Sequence, residues 1–346
     1  MRKLYLIKIK AAFCSILLAA LNGCIYEKNG QDAEEEIEVQ LCFSGIKEVK
    51  SVDPGPDVVN DLNIFVLNGE GILEEHKYIA LQDSWPGTGG SSVCKIRLIK
   101  GLRYSIAAFA NFGHRIDGIK NAEELNKYRY HLTYPDEYSR GLPMCGKVEK
   151  LLAGQENNIE IGLERLMSRI SLRIDRTRLS KGVTFNVRSV RIGNCPKSIL
   201  VMENSRAQNN MDVFNVGFIK SYGEVDDLNR DKEPGISKEV SVYMFENMNG
   251  DLLPEAVKDK DKVLDKMPYM AEICSYIEIK AEYISPSFTN LPGDYLIYRF
   301  YLGAGKGNFD IKRNCHYKYT IRPEGSGLDE NSWRVDIQGL KKIRED

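Results

Sequence analysis

Histidine and cysteine side chains are the groups in this sequence best suited to bind a metal or to act as nucleophiles and bases. The four histidines are far apart along the chain: His76, His114, His131 and His316. No two cysteines have the C-x-x-C spacing of zinc or redox sites. We therefore expect no metal site, no cofactor and no catalytic histidine. Beyond residue 24 we predict buried thiols, with one disulfide in each half as the alternative, at Cys42, Cys94, Cys145, Cys195, Cys274 and Cys315.

Other catalytic patterns are also missing from the sequence. It contains no nucleophile elbow, phosphate-binding loop or dinucleotide fingerprint. Acidic residues are abundant, but in alternating strands such residues usually form the wet face of a sheet. A pair of carboxylates for glycoside hydrolysis requires only spatial proximity, so a lipid-anchored hydrolase stays open as a hypothesis. We predict that the protein is not an enzyme.

The N-terminus carries the pattern of an export signal. Four basic residues within the first ten precede an apolar run, residues 11–21, that is too short to span a bilayer. The sequence Leu21-Asn22-Gly23-Cys24 resembles the lipobox of bacterial lipoproteins. This resemblance implies that residues 1–23 are a lipoprotein signal peptide and that Cys24 is acylated with fatty acids such as palmitate. An ordinary signal peptide followed by an incidental cysteine is the alternative.

Residues 24–35 are polar and end in an acidic run, which predicts a solvated linker. An acidic stretch behind a lipidated cysteine also resembles the surface-export signal of Bacteroidetes lipoproteins, which implies the outer face of the outer membrane. The formal net charge of the chain is −1, and loss of the basic leader makes the remainder more acidic. That balance argues against a nucleic-acid partner.

Apolar residues alternate with polar ones along most of the chain, the pattern of half-buried β-strands. The pattern predicts an all-β fold of two β-sandwiches, residues 36–166 and 167–346, divided near Met167 where a second series of strands begins. The composition of residues 117–128 predicts a short helix, for which Asn121 is the expected N-cap. The charged segment 222–237 is expected to be a long loop.

Several segments resemble the fimbrillins, the subunits of type V pili in Bacteroidetes, and they occur in the order of that family. They are VNDLNIFV (59–66), YSIAAFANFG (104–113), LPMCG (142–146), LERLMSRI (163–170), YMFENMNG (243–250) and NFDIKRNCHY (308–317). The resemblance implies two tandem transthyretin-like β-sandwich domains and a cell-adhesion role in a fimbrium. It also implies that other fimbrial subunits are partners by strand exchange, that the lipid anchors the protein in the outer membrane, and that host or bacterial surface ligands are further partners.

Strand exchange works by completing a sandwich that lacks one strand with a strand from a neighbouring subunit. The candidate exchangeable strand has alternating apolar side chains at Ile37, Val39, Leu41 and Phe43. The candidate donor strand lies in the C-terminal tail, with Trp333, Val335 and Ile337 alternating. For both segments the alternative is an ordinary strand of the chain's own sandwich.

Maturation of such subunits removes the first strand by proteolysis, and this chain departs from the arginine-cleaved pattern. No arginine occurs between Arg2 and Arg97, whereas Lys47 and Lys50 lie in the expected loop. Cleavage there would make the protein a stalk or tip subunit. Without cleavage it would keep its first strand and its lipid as a membrane-anchor or accessory subunit, which is the interpretation we favour.

A glycan-binding surface lipoprotein of a nutrient-capture system is the alternative function. Such a protein would present exposed aromatic side chains on one platform. Trp85, Tyr134 and Tyr138 lie in loop-like, proline-bearing stretches that suit this role.

Overall fold

The computed structural model describes residues 35–44, 59–80, 92–132, 141–154, 158–217, 222–253, 272–284, 286, 296–303, 307–325 and 333–342. Within these residues the fold is all-β and consists of two β-sandwiches, as predicted. No helix in this part of the chain is long and apolar enough to cross a membrane.

In the described residues, the first half of the chain forms nine strands and one helix, and eight of the strands build the two sheets of the first sandwich. In chain order they are β1 (Glu36–Ser44), β2 (Asp61–Leu67), β3 (Leu73–Ala80), β4 (Ser92–Ile99), β5 (Arg103–Ala110), α1 (Ala122–Lys127), β6 (Arg129–His131), β7 (Met144–Leu151), β8 (Asn158–Gly162) and β9 (Glu164–Arg165). One sheet has the order β4-β1-β8 and the other has the order β3-β2-β5-β7-β9.

The core of the first sandwich lies between these two sheets. Alternate residues of β1, β4 and β8 pack against alternate residues of β2 and β5, because successive side chains of a strand point to opposite faces. The predicted helix is present but shorter than expected. It begins directly after Asn121, whose side-chain oxygen accepts a hydrogen bond of 2.9 Å from the amide of Glu124.

The second sandwich follows without an intervening linker, since β9 ends at Arg165 and the next strand begins at Met167. Its elements are β10 (Met167–Ile174), β11 (Thr184–Pro196), β12 (Ser198–Leu200), β13 (Val213–Gly217), α2 (Tyr222–Asn229), β14 (Asp231–Glu233), β15 (Ile236–Ser237), β16 (Val240–Phe245), β17 (Tyr276–Ile284), β18 (Leu296–Tyr301), β19 (Cys315–Pro323) and β20 (Trp333–Lys342). The two sheets have the orders β16-β10-β19-β20 and β13-β11-β17-β18.

The expectation of a long loop at residues 222–237 is wrong. This segment forms α2 and the small hairpin of β14 and β15. Leu228 is buried in the core of the second sandwich and Val225 packs against it, one turn away on the same helical face. Two apolar residues among many charged ones give a weak helical pattern in the sequence, and packing against the sandwich stabilises the helix.

The two sandwiches share a third hydrophobic cluster. Aromatic side chains from the outer face of the five-stranded sheet, including Phe65 and Phe109, pack with Ile199, Val201 and Phe245 of the second sandwich. In addition, β6 of the first sandwich pairs with β12 of the second. The two halves are therefore joined by buried apolar surface and by backbone hydrogen bonds.

Candidate functional site

The candidate exchangeable strand, β1, is an inner strand of the three-stranded sheet. It runs antiparallel to β4 on one side and parallel to β8 on the other. Val39, Leu41 and Phe43 are fully buried and Ile37 is half-buried. The first strand in the sequence thus completes a sheet whose other two strands lie far along the chain.

The inward side chains of β1 contribute a large share of the local burial. At about 1.5–3 kcal/mol for each fully buried apolar side chain, Val39, Leu41 and Phe43 together stabilise the sandwich by at most about 5–9 kcal/mol. Removal of β1 would also leave one backbone edge of β4 and one of β8 without hydrogen-bond partners. The vacated space would be an apolar groove between two open strand edges.

The outward side of β1 is polar and paired across the sheet. The Nζ of Lys95 donates to Oε1 of Glu38 at 2.6 Å, and Lys100 makes a similar bond of 2.6 Å to Glu35. The hydrogen bond and charge of Lys95, with help from Arg97, hold the pKa of Glu38 below its usual value. Because these groups are exposed, they set the strand's register more than its stability.

The candidate donor strand, β20, lies at the edge of the four-stranded sheet. It runs antiparallel to β19, with Trp333 opposite Pro323, Val335 opposite Ile321 and Ile337 opposite Tyr319. In this sheet β20 has one neighbour, whereas β1 has two in its own sheet. This arrangement matches the alternative interpretation, in which the tail is an ordinary edge strand of the chain's own sandwich.

Several residues singled out in the sequence lie outside the described residues. They are the lipidation site Cys24, the candidate cleavage sites Lys47 and Lys50, and the aromatic residues Trp85, Tyr134 and Tyr138. All six later cysteines are free thiols, and four of them are buried. Within the part of the chain that is described, no three His, Cys, Asp or Glu side chains are grouped closely enough to hold a metal ion.

Three solved structures of Bacteroidetes proteins share this architecture. A Bacteroides eggerthii protein described as a candidate cell adhesion protein has a TM-score of 0.58 at 14% identity, over 89% of this chain and 96% of its own. The C-terminally truncated tip fimbrial protein Mfa3 of Porphyromonas gingivalis has a TM-score of 0.53 at 14% identity, over 87% and 99%. The fimbrilin FimA of Porphyromonas gingivalis W83 has a TM-score of 0.54 at 15% identity, over 87% and 96%. The chain has the fimbrillin fold.

Sequence comparison adds less than this structural similarity. A family model described as a domain of unknown function (DUF4906) matches residues 242–321, which lie within the second sandwich. No curated protein matches the sequence significantly. The assignment of the fimbrillin fold therefore rests on structural similarity. At 14–15% sequence identity, this similarity shows the fold alone.

The first set of motifs that pointed to the fimbrillin fold meets in one hydrogen-bonded corner. The carboxylate of Asp61 accepts from the amides of Phe112 (3.0 Å) and Gly113 (2.9 Å). Asn111, in the left-handed conformation with φ of 65°, donates from its side chain to the carbonyl of Leu142 at 2.7 Å. These motifs therefore fix the ends of β2 and β5 against the segment that leads into β7.

Gly146 in the LPMCG motif has a steric role. A Cβ atom at this position would lie 2.4 Å from the carbonyl oxygen of Gly162, so β7 and β8 approach too closely for any side chain. The glycine is therefore required for the packing of β7 against β8.

A second set of motifs meets at a buried ion pair of the second sandwich that the sequence did not reveal. Arg313 donates from Nε to Oε2 of Glu246 at 2.9 Å, and a further nitrogen donates to Oε1. Its guanidinium also donates to the carbonyls of Leu200, Val201 and Glu203, at 2.6–2.8 Å. Glu246 is 1% exposed and also accepts from the amide of Ser205 at 2.7 Å.

The first sandwich contacts this ion pair through β7. The thiol of Cys145 donates to the carbonyl of Val201 at 3.2 Å and lies 4.0 Å from Arg313. Burial raises the pKa of the Cys145 thiol to about 11, partly offset by the positive charge of Arg313. Arg313, Glu246 and Cys145 each occur in one of the fimbrillin-like segments, so these three segments meet in contacts that stabilise the fold.

Proposed function

We propose that the protein is a subunit of a cell-surface fimbrium, exported as a lipoprotein and assembled by β-strand complementation, in the role of an anchor or accessory subunit. The inner position of β1, a terminal strand with three fully buried side chains between β4 and β8, is the observation that carries this proposal. The lipobox-like sequence at Cys24 supports the lipid anchor and the outer-membrane location.

The two candidate strands differ in how much must break for each to leave its place. Release of β20 breaks the ladder to β19, whereas release of β1 breaks ladders to both β4 and β8 and exposes a large apolar core. A tail strand held at one edge is therefore the better donor to a neighbouring subunit. The inner strand β1 stays in place unless the chain is cut after it.

The anchor role follows if β1 is retained in the mature protein. The anchor then keeps its acylated Cys24 in the membrane and donates β20, with Trp333, Val335 and Ile337 as the inserting residues. Residues 36–166 and 167–346 act as two domains, held together by the aromatic cluster and by the pairing of β6 with β12. N-terminal sequencing of the protein from cell-surface fractions tests this role: a start at Glu48 or Ser51 would show cleavage and refute the anchor.

Disulfide locks test the exchange itself. A pair of directly opposite strand residues lies within the Cα separation that a disulfide allows. The double substitution Lys318→Cys and Gln338→Cys locks β20 to β19, because these residues are register partners. The double substitution Gln40→Cys and Lys95→Cys, in a Cys42→Ser background, locks β1 to β4.

A third lock serves as the control. Arg103→Cys with Leu151→Cys joins β5 to β7, which stay paired in every version of the proposal. Filaments and covalently stable subunit complexes are counted on cells by immunoelectron microscopy and non-reducing electrophoresis, with and without reductant.

The three locks separate the roles. For an anchor, the β20 lock alone abolishes attachment of filaments, and reductant restores it. For a stalk subunit both the β20 lock and the β1 lock block assembly. Normal filament attachment with the β20 lock closed would refute strand exchange by this tail, whereas normal attachment with only the β1 lock closed is expected for an anchor.

A further inference from the structure

The outer face of the second sandwich carries a concentration of positive charge. Three cations lie on neighbouring strands: Arg169 and Arg173 on β10, and Lys318 on β19. Lys318 is the register partner of Ser171, which lies midway between the two arginines. We call this surface, with its hydroxyl side chains and His316, the cationic face.

Both arginines are held in place by neutral partners. Arg169 donates from Nε to the hydroxyl of Ser241 at 3.2 Å, and Arg173 donates from Nε to the hydroxyl of Thr320 at 2.9 Å. Among the residues whose side chains the structure describes, which exclude those of β20, no carboxylate forms an ion pair with Arg169, Arg173 or Lys318. The terminal nitrogens of each guanidinium are therefore oriented by the sheet while their charge is uncompensated.

The outer face of the opposite sheet shows the usual arrangement. There Arg188 pairs with Glu282, and both Arg191 and Arg299 pair with Glu278, at 2.5–2.7 Å. On the sheet of β10 and β19, Arg322 is likewise paired, with Asp175 at 2.7 Å, so Arg169, Arg173 and Lys318 are the cations of this face that lack such a pair among the described side chains. Two carboxylates belong to the surroundings of the cationic face: Glu239, which is exposed and influences His316, and Asp336 of β20, the register partner of Thr320.

The spacing of the cations suits a long, repeating ligand. Arg169 and Arg173 are four residues apart on one strand, which is about 13 Å. Between them Ser171 forms hydrogen bonds of 2.7 Å with Ser241 and with Nε2 of His316. The result is a row of two oriented guanidinium groups with polar hydrogen-bonding groups between them and an ammonium group beside them.

We propose that the cationic face binds an acidic polysaccharide through its carboxylate or sulfate groups. A bidentate guanidinium is the side chain best suited to such oxyanions. A membrane is disfavoured because none of the large exposed apolar side chains lies on β10, β16 or β19. The acidic net charge of the chain disfavours nucleic acid, and an extended peptide would prefer a strand edge to a sheet face.

The test uses the mature chain with Cys24→Ser and measures affinity by calorimetry at low and high salt. The probes are polygalacturonate, which carries carboxylates alone, heparin, which also carries sulfates, and neutral dextran. We expect one or both acidic glycans to bind and to weaken as salt rises, and dextran not to bind. Binding to polygalacturonate would show that carboxylate groups are sufficient for recognition. Binding to heparin but not to polygalacturonate would show that sulfate groups are required.

Matched variants locate the site. Arg169→Gln with Arg173→Gln should weaken binding at least about tenfold, since each loses charge-assisted hydrogen bonds. Arg115→Gln with Arg230→Gln removes the same charge from exposed arginines elsewhere and should leave affinity unchanged. Lys318→Gln, on an exposed side chain, provides a second variant and should weaken binding about threefold.

Three results would overturn the proposal. They are no binding of either acidic glycan at low salt, an affinity for dextran equal to that for the acidic glycans, or a loss of affinity in the control pair of variants as large as that in the Arg169 and Arg173 pair. A single-stranded oligonucleotide that binds more tightly than both glycans, and that loses affinity in the arginine pair, would assign the face to nucleic acid instead. None of these measurements depends on strand exchange, so this inference and the proposed function fail separately.

Discussion

The substitution Arg313→Gln should strongly destabilise the second sandwich where it contacts the first. The guanidinium of Arg313 is 11% exposed and its partner Glu246 is 1% exposed, so the ion pair is shielded from water. Without the guanidinium the carboxylate of Glu246 stays buried and keeps two described neutral donors, the amide of Ser205 at 2.7 Å and the backbone amide of residue 313 at 3.5 Å. Removal of one partner from a buried ion pair costs about 3–5 kcal/mol, because a charge is left without compensation.

The assay is chemical and thermal unfolding followed by circular dichroism, interpreted as a double-mutant cycle. At about 2–4 °C per kcal/mol, we expect Arg313→Gln to lower the melting temperature by roughly 6–20 °C. Adding Glu246→Gln removes the uncompensated charge. The stability lost by the double variant should therefore be smaller than the sum of the two single losses, by at least about 1.5 kcal/mol. Arg115→Gln, at an exposed ion pair, is the control and should change little. A loss below about 1 kcal/mol for Arg313→Gln, or strict additivity, would refute the role assigned to the pair.

Three further predictions follow from individual side chains. Leu41→Ala should destabilise the first sandwich by about 2–5 kcal/mol in urea titrations, since Leu41 is fully buried between β4 and β8; a loss below 1 kcal/mol would contradict the inner position of β1. Burial, and secondarily the charge of Arg115, lowers the pKa of His76, so its contribution to stability is present above about pH 6.5 and is lost as the pH falls. Urea midpoints should therefore drop between pH 7.5 and pH 5 less steeply in His76→Gln than in the parent protein. Burial raises the pKa of Cys145 to about 11, so this thiol should resist a disulfide reagent at pH 8 until the protein unfolds, and rapid native labelling would be the contrary result.

The alternation of apolar and polar residues was sufficient to predict the fold class and many of the strands, although it missed others such as β3 and β7. Residues 37–43 alternate along the chain, and the alternate set is buried in β1. Asn121 was predicted as a helix cap from its residue type, and α1 begins directly after it. Strand periodicity and helix capping depend on neighbouring residues, so the sequence alone contains them.

Pairing partners and burial of charge were decided by the tertiary structure. The pattern of β1 suits an edge or an inner strand equally, and only its pairing with β4 and β8 makes it an inner one. Arg313 and Glu246 are 67 residues apart and resemble any other charged residues in the sequence. The helix α2 could not be predicted from Leu228 alone, because it is stabilised by packing against a core that distant strands form. Contacts between residues far apart in sequence leave no local pattern, so the sequence determined which segments are strands, and the packed structure determined which of them are neighbours.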